Sequence, residues 1–191
     1  MTLIEKIRQA TSRAHEELDA ALLPRIKNIH STGDYIALLT AFYGFFKPVY
    51  DSIDTHINVA LLPDYATRRK PAHLLKNLDA LAPQLSVTNF CQHLPLIHNN
   101  ASVFGALYVM EGSTLGGLLI KKMIAEQTGL QDEQLSFFAG YGKETRERWN
   151  VFVAALNQIA WNDNEEQVAI ETATLTFTTF KNWLAAAYFL N

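Results

Sequence analysis

Two groups of residues in this 191-residue chain could do chemistry. The first is His15 in LIEKIRQATSRAHEELD, with Arg8 about two turns upstream. Leu3, Ile4, Ile7, Ala10, Ala14 and Leu18 recur at three- and four-residue steps, so His15 stands at the edge of an apolar helical stripe. A histidine there is either a buried imidazole satisfied by one hydrogen bond or an axial iron ligand, a role that a neutral imidazole in an apolar groove performs well. The second group is Gly112-Ser113-Thr114-Leu115-Gly116-Gly117, inside an otherwise helical run from Ala101 to Lys122. Each interior glycine costs a helix about 1 kcal/mol relative to alanine, roughly 3 kcal/mol for the set. What a missing Cβ gives in return is backbone that can kink and lie flat against another helix, a phosphate or a planar ligand.

The phosphate reading is weak. No Gly-Lys-Ser/Thr follows the glycines, and a dinucleotide fold needs strands that the pattern does not supply. Helix packing and a flat cofactor both stay open. The other histidines, His30, His56, His73, His93 and His98, form neither HExxH nor the Glu-x-x-His pairs of a di-iron site. Asp51, Asp54 and His56 suit a solvated helix face. Taken together, His15 and the glycines describe a sandwich, with imidazole on one helix and bare backbone on another. Heme would fit it, and heme also needs cations for its propionates. Arg8, Lys143, Arg146 and Arg148 are available, with Tyr141 as a hydrogen-bond donor, although any one of the cations taken alone reads first as a solvated face.

The elements that must position these groups are helices. Thr2 and Glu5 make a capping box for a first helix over residues 2 to 20, which Pro24 should end. A second helical region over 33 to 58 starts at Ser31 to Asp34, and Pro48 should kink or divide it. Pro71 opens a shorter helix to about Leu81, stopped by Pro83; residues 84 to 99 hold a short helix or turn. Asn99 or Asn100 caps the glycine-bearing helix and Gly129 ends it. A loop over 130 to 143 leads to a helix from about Lys143 to Trp161. Asn162-Asp163-Asn164 caps the last helix, whose face runs from Ile170 to Ala187. No segment alternates as a strand. The expectation is a single all-α domain over 1 to 191, a bundle of six to eight helices.

Composition narrows the function. A net charge of -3 and a pI near 6.1 argue against nucleic acid as a partner. Cys91 stands alone, so no internal disulfide forms, which fits a reducing cytosol. The amphipathic N-terminus has no signal-peptide core, and a cytoplasmic location is expected. The glycine-bearing stretch approaches a transmembrane length, but Glu111 lies mid-span, where a carboxylate is expensive in lipid, and no membrane span is expected.

At these residues the sequence resembles heme oxygenase. LIEKIRQATSRAHEELD looks like the proximal segment of that family, and YVMEGSTLGG like its kinked distal helix. GYGKETRERWNVF followed by TATLTFTTFKNWL resembles in particular the bacterial branch that often accompanies phytochromes. The likeness runs from about residue 3 to residue 184. It implies cleavage of heme to biliverdin, carbon monoxide and ferrous iron, with heme as both cofactor and substrate. It implies His15 as the iron ligand, Arg8 and Arg146 as propionate partners, Gly112 and Gly116 facing the heme, and Gly117 extending the match. It implies an external electron donor, a ferredoxin or flavin reductase, and a biliverdin-using phytochrome as partner. One position departs from the pattern. Many members carry aspartate after the first distal glycine, where it organises water; here it is Ser113, with Thr114 and Glu111 as substitutes. A heme-binding or heme-transfer protein, or a same-fold protein acting on another small molecule, is the alternative.

Overall fold

Helix ends fall where short polar side chains stand. Glu5 Oε2 accepts from the Thr2 N–H at 2.8 Å, closing the capping box of α1 (Leu3–Lys27). Ser31 and Asp34 exchange bonds in the same way at the start of α2 (Thr32–His56): Ser31 Oγ accepts from Asp34 N–H at 3.1 Å, and Asp34 Oδ2 accepts from Ser31 N–H at 2.9 Å. Asn99 Oδ1 accepts from Ser102 N–H at 2.9 Å and opens α4 (Asn100–Thr128), and Gly129, in the left-handed region at φ 72°, closes it. Asn162 and Glu165 pair reciprocally at 3.0 Å at the head of α6 (Asp163–Ala187). Between these lie α3 (Ala72–Leu81) and α5 (Thr145–Gln158). This computed structural model describes residues 1 to 187, and no strand occurs among the described residues.

Both interior prolines behave differently from expectation. Pro24 does not end α1, which continues to Lys27 because Ile26 and the following Ile29 are buried at 2% and 1% exposure. Burying two such side chains contributes about 3–6 kcal/mol, enough to offset the roughly 3 kcal/mol that an interior proline costs. Pro48 does not divide α2 either. Lacking an N–H, it leaves the carbonyl of Gly44 one turn back without its helical donor. That carbonyl accepts instead from the Cys91 N–H at 2.9 Å. Gly44 carries no Cβ because one would lie 2.6 Å from the Asn89 carbonyl and 2.7 Å from the Trp183 ring. The segment over 82 to 99 contains no helix and is held to α2 at this point.

α6 packs against both α1 and α4, and α2 packs against α3, α4 and α6. The centre is aromatic: Phe42 meets Phe180 edge-on at 5.0 Å, Phe45 stacks on Phe180 at 4.6 Å, and Phe46 meets Phe137 edge-on at 5.6 Å. α4 is long and apolar enough to cross a membrane by composition, yet 56% of that window is buried within the protein.

Candidate active site

On α4 the glycine stretch is divided by helical geometry. Gly112, Ser113 and Gly116 share one face, while Glu111, Thr114 and Gly117 lie on the buried one. The first face lines a cleft of about 510 Å³, within the range of small-molecule sites. α1 lines the same cleft with Arg8, His15, Leu18 and Asp19. Aromatic rings complete it: Phe42 and Phe46 from α2, Phe137 and Phe138 from the loop after α4, Trp149 from α5 and Phe177 from α6.

His15 is not a satisfied core histidine. Its side chain is 57% exposed, and Nε2 stands 3.5 Å from Asp19 Oδ2 one turn on. Phe177 lies against the imidazole, ring centroids 5.1 Å apart. Across the glycines the backbone is bare toward the cleft. A Cβ on Gly116 would meet nothing within 4 Å, and one on Gly112 only the Trp149 ring at 3.6 Å. Arg8 and Arg146 are exposed, line the cleft and belong to no ion pair among the described residues.

Five expectations fall elsewhere. Gly117 does not face the cleft: a Cβ there would lie 2.3 Å from the Phe138 carbonyl oxygen, so this glycine admits the loop after α4. Tyr141 is also off the cleft. Its hydroxyl donates to Glu111 Oε2 at 2.9 Å and accepts from the Arg69 backbone N–H at 2.8 Å, and burial, then Glu111, pushes its pKa up. Thr114 is buried and donates to the Glu111 carbonyl at 2.6 Å, so it holds no water in the cleft. Arg148 turns to Asp64 and Glu144, 3.4 Å from each, and Lys143 is surface.

Arg69 is the residue that sequence reasoning missed. It is 4% exposed, lines the cleft, and donates from Nη2 to Ser113 Oγ at 2.6 Å and to the Met110 carbonyl at 3.0 Å. Its guanidinium lies over the Phe137 ring at 4.3 Å. Its neighbour Arg68 takes the carboxylates instead: Glu111 at 2.7 Å and Asp64 through two bonds at 2.9 and 3.0 Å. A signal existed, because a glutamate in the middle of an apolar helix requires a buried cation, and Arg68-Arg69 is the only adjacent arginine pair.

An exposed imidazole, a wall without side chains, apolar rings and two unpaired guanidiniums fit a flat macrocycle with a central metal and carboxylate edges. This is the class of all-helical heme-binding bundle. The sequence profile of the family described as heme oxygenase matches residues 1–186. Two solved structures share the fold. The heme oxygenase from Leptospira interrogans is 20% identical with a TM-score of 0.75, covering 97% of this chain and 100% of its own. The NO- and CO-bound heme oxygenase from Neisseria meningitidis is 22% identical with a TM-score of 0.77, covering 100% and 94%. No curated protein matches the sequence. The chain belongs to the heme oxygenase family, enzymes that cleave heme to biliverdin, carbon monoxide and iron with heme as cofactor and substrate and an external reductant.

Proposed function

We propose that His15 is the axial iron ligand, that Arg8 and Arg146 hold the propionates, and that Gly112 and Gly116 form the wall of the oxygen side. The observation that carries this reading is the bare α4 backbone in the same cleft as His15, since a Cβ on Gly116 would enter open space. Bound heme supplies the redox-active iron, the dioxygen position and the ring carbon that is oxidised.

The chain's own groups then have separate tasks. His15 binds through a ring nitrogen, and Asp19 Oδ2 one turn on stands 3.5 Å from its Nε2. Arg8 and Arg146 fix rotation of the ring about the iron axis, and rotation selects the carbon presented to oxygen. The glycine wall crowds that side and lets backbone approach the ligand. Phe42, Phe46 and Phe137 exclude bulk water. Ser113 Oγ and Arg69 Nη2 order the water that delivers protons where many relatives use a carboxylate. Ser113 Oγ accepts from Arg69 and donates to the Met110 carbonyl at 2.7 Å, so it offers a water one acceptor site, whereas Arg69 keeps its own proton and contributes charge and orientation.

The external donor is of ferredoxin or flavin-reductase type, the product is handed to a biliverdin-using phytochrome, and the setting is the cytoplasm. Titration with heme, then ascorbate or a ferredoxin system under oxygen, tests the whole reading. Stoichiometric binding followed by loss of the Soret band and a biliverdin spectrum is expected. Stable binding without bilin would instead mean heme carriage.

A further inference from the structure

Arg68 and Arg69 are neighbours with opposite destinations. The backbone at Arg68 is extended, φ −76° and ψ 156°, and successive side chains on extended backbone leave on opposite sides. Arg68 goes to Glu111 and Asp64, and Arg69 goes to Ser113 and the Met110 carbonyl. Whatever holds the peptide group between them therefore aims both guanidiniums. Its N–H belongs to Arg69 and donates to the Tyr141 hydroxyl at 2.8 Å. The same hydroxyl donates to Glu111 Oε2 at 2.9 Å, and Arg68 Nη1 donates to that oxygen at 2.7 Å. One buried carboxylate oxygen thus closes a ring through Arg68, the peptide and Tyr141. Within this ring the direction of the hydroxyl is fixed. A tyrosine hydroxyl can rotate to offer either a proton or a lone pair, but a carboxylate paired with a guanidinium only accepts. Glu111 takes the proton and leaves a lone pair for the Arg69 N–H. Tyr141 itself is held firmly. Gly140 and Gly142 on either side are left-handed, at φ 60° and 59°. The Tyr141 N–H donates to Thr145 Oγ1 at 3.2 Å, and the Arg148 guanidinium lies over the ring at 5.6 Å.

We propose that Tyr141 and Glu111 are positioning residues that hold the Arg68–Arg69 peptide and thereby aim the Arg69 guanidinium at Ser113 in the cleft. Neither of the two lines the cleft; both act through Arg69. The aim is a property of the protein alone, whereas its use rests on the role given to Arg69 in the heme oxygenase reading above. Without the hydroxyl the peptide is free to turn, and the guanidinium loses its line past the Phe137 ring to Ser113. Without the carboxylate the hydroxyl is free to turn, with the same result one step later. Glu111 immediately precedes Gly112, so a single turn of α4 sets both the bare wall and the cation beside it.

A crystal structure of the heme-free Tyr141→Phe variant tests the aim directly. The substitution keeps the ring under Arg148 and removes only the oxygen. The Arg69–Ser113 contact, 2.6 Å in the wild type, should open beyond hydrogen-bonding distance. Glu111→Gln is the second variant. Its size is unchanged, but its amide can donate to the tyrosine oxygen instead of accepting from it, and it should displace Arg69 as well. A guanidinium unmoved in both variants overturns the proposal and leaves the ring of bonds as packing. Azide titration of the ferric heme complexes tests the consequence. Tyr141→Phe should show part of the roughly tenfold loss of affinity expected for Arg69→Met, with the nitrogen-ligated spectrum unchanged. In the Arg69→Met background it should cost nothing further. An equal loss in both backgrounds overturns the proposal, because Tyr141 would then act without Arg69. If Arg69→Met itself leaves azide affinity unchanged, the role of Arg69 in the reading above falls, whereas the aim is decided by the heme-free crystals.

Discussion

The Arg69 Nη2 donates to Ser113 Oγ at 2.6 Å, and the Phe137 ring lies 4.3 Å from the same guanidinium. This buried cation hydrogen-bonds a hydroxyl and the Met110 carbonyl, and no ion pair involves it among the described residues. Arg69→Met keeps length and ring contact but removes the donors. Apolar replacement of a buried charge is often neutral or stabilising, so the denaturation midpoint should hold or rise. Azide affinity of the ferric heme complex should fall by roughly tenfold, about 1.4 kcal/mol, near the lower end for a charged hydrogen bond. Spectroscopic titration with azide checks this, and unchanged affinity would make Arg69 purely structural.

Gly116 and Gly117 are neighbours with opposite surroundings. Gly116→Ala meets nothing within 4 Å and gains about 1 kcal/mol of helix propensity, so its Tm should rise while heme turnover falls. Gly117→Ala places a methyl 2.3 Å from the Phe138 carbonyl oxygen, a contact that moves the loop carrying Phe137 and Phe138. Overpacking of this kind costs about 1–3 kcal/mol. Thermal melts of the two heme-free variants, run side by side, should move in opposite directions.

His15→Ala should leave stability within about 0.5 kcal/mol, because the side chain is mostly exposed and its contact with Asp19 is long. The ferric heme complex should lose its nitrogen-ligated spectrum, and added imidazole should restore it. A spectrum identical to the wild type would remove His15 from the iron.

Burial pushes the hydroxyls of Tyr35, Tyr50, Tyr65 and Tyr141 upward, aided by Asp54 at Tyr65 and by Glu111 at Tyr50 and Tyr141. The folded protein therefore keeps protons that the unfolded chain releases above about pH 10. The stability they contribute is complete below that pH and falls above it, by order 1 kcal/mol per pH unit for each group. Urea denaturation between pH 9 and pH 11 reads the slope, and Tyr50→Phe should make it shallower.

Patterns confined to one helix were legible in the sequence. Thr2 with Glu5, Ser31 with Asp34, and Asn99 with Gly129 mark helix ends through local bonds, and each stands where it was expected. The all-helical class follows from apolar spacing alone. Gly112 and Gly116 were visible as an unexplained propensity loss, but Gly117 carried the same signal for a different reason, packing against Phe138. Arg69 and Tyr141 exchanged expectations because their positions depend on contacts across 44 and 30 residues, to Ser113 and Glu111. Pro24 and Pro48 misled for a related reason. Local cost argued for breaks, and tertiary burial outweighed it.

Pro48 bears on how this fold tolerates change. Any other residue at position 48 would restore an N–H aimed at the Gly44 carbonyl, which the Cys91 N–H already uses. Two donors would then compete for one acceptor. A substitution that mends the helix by the rules of helix propensity would loosen the attachment of residues 82 to 99, so the imperfection in α2 is itself a tertiary connection.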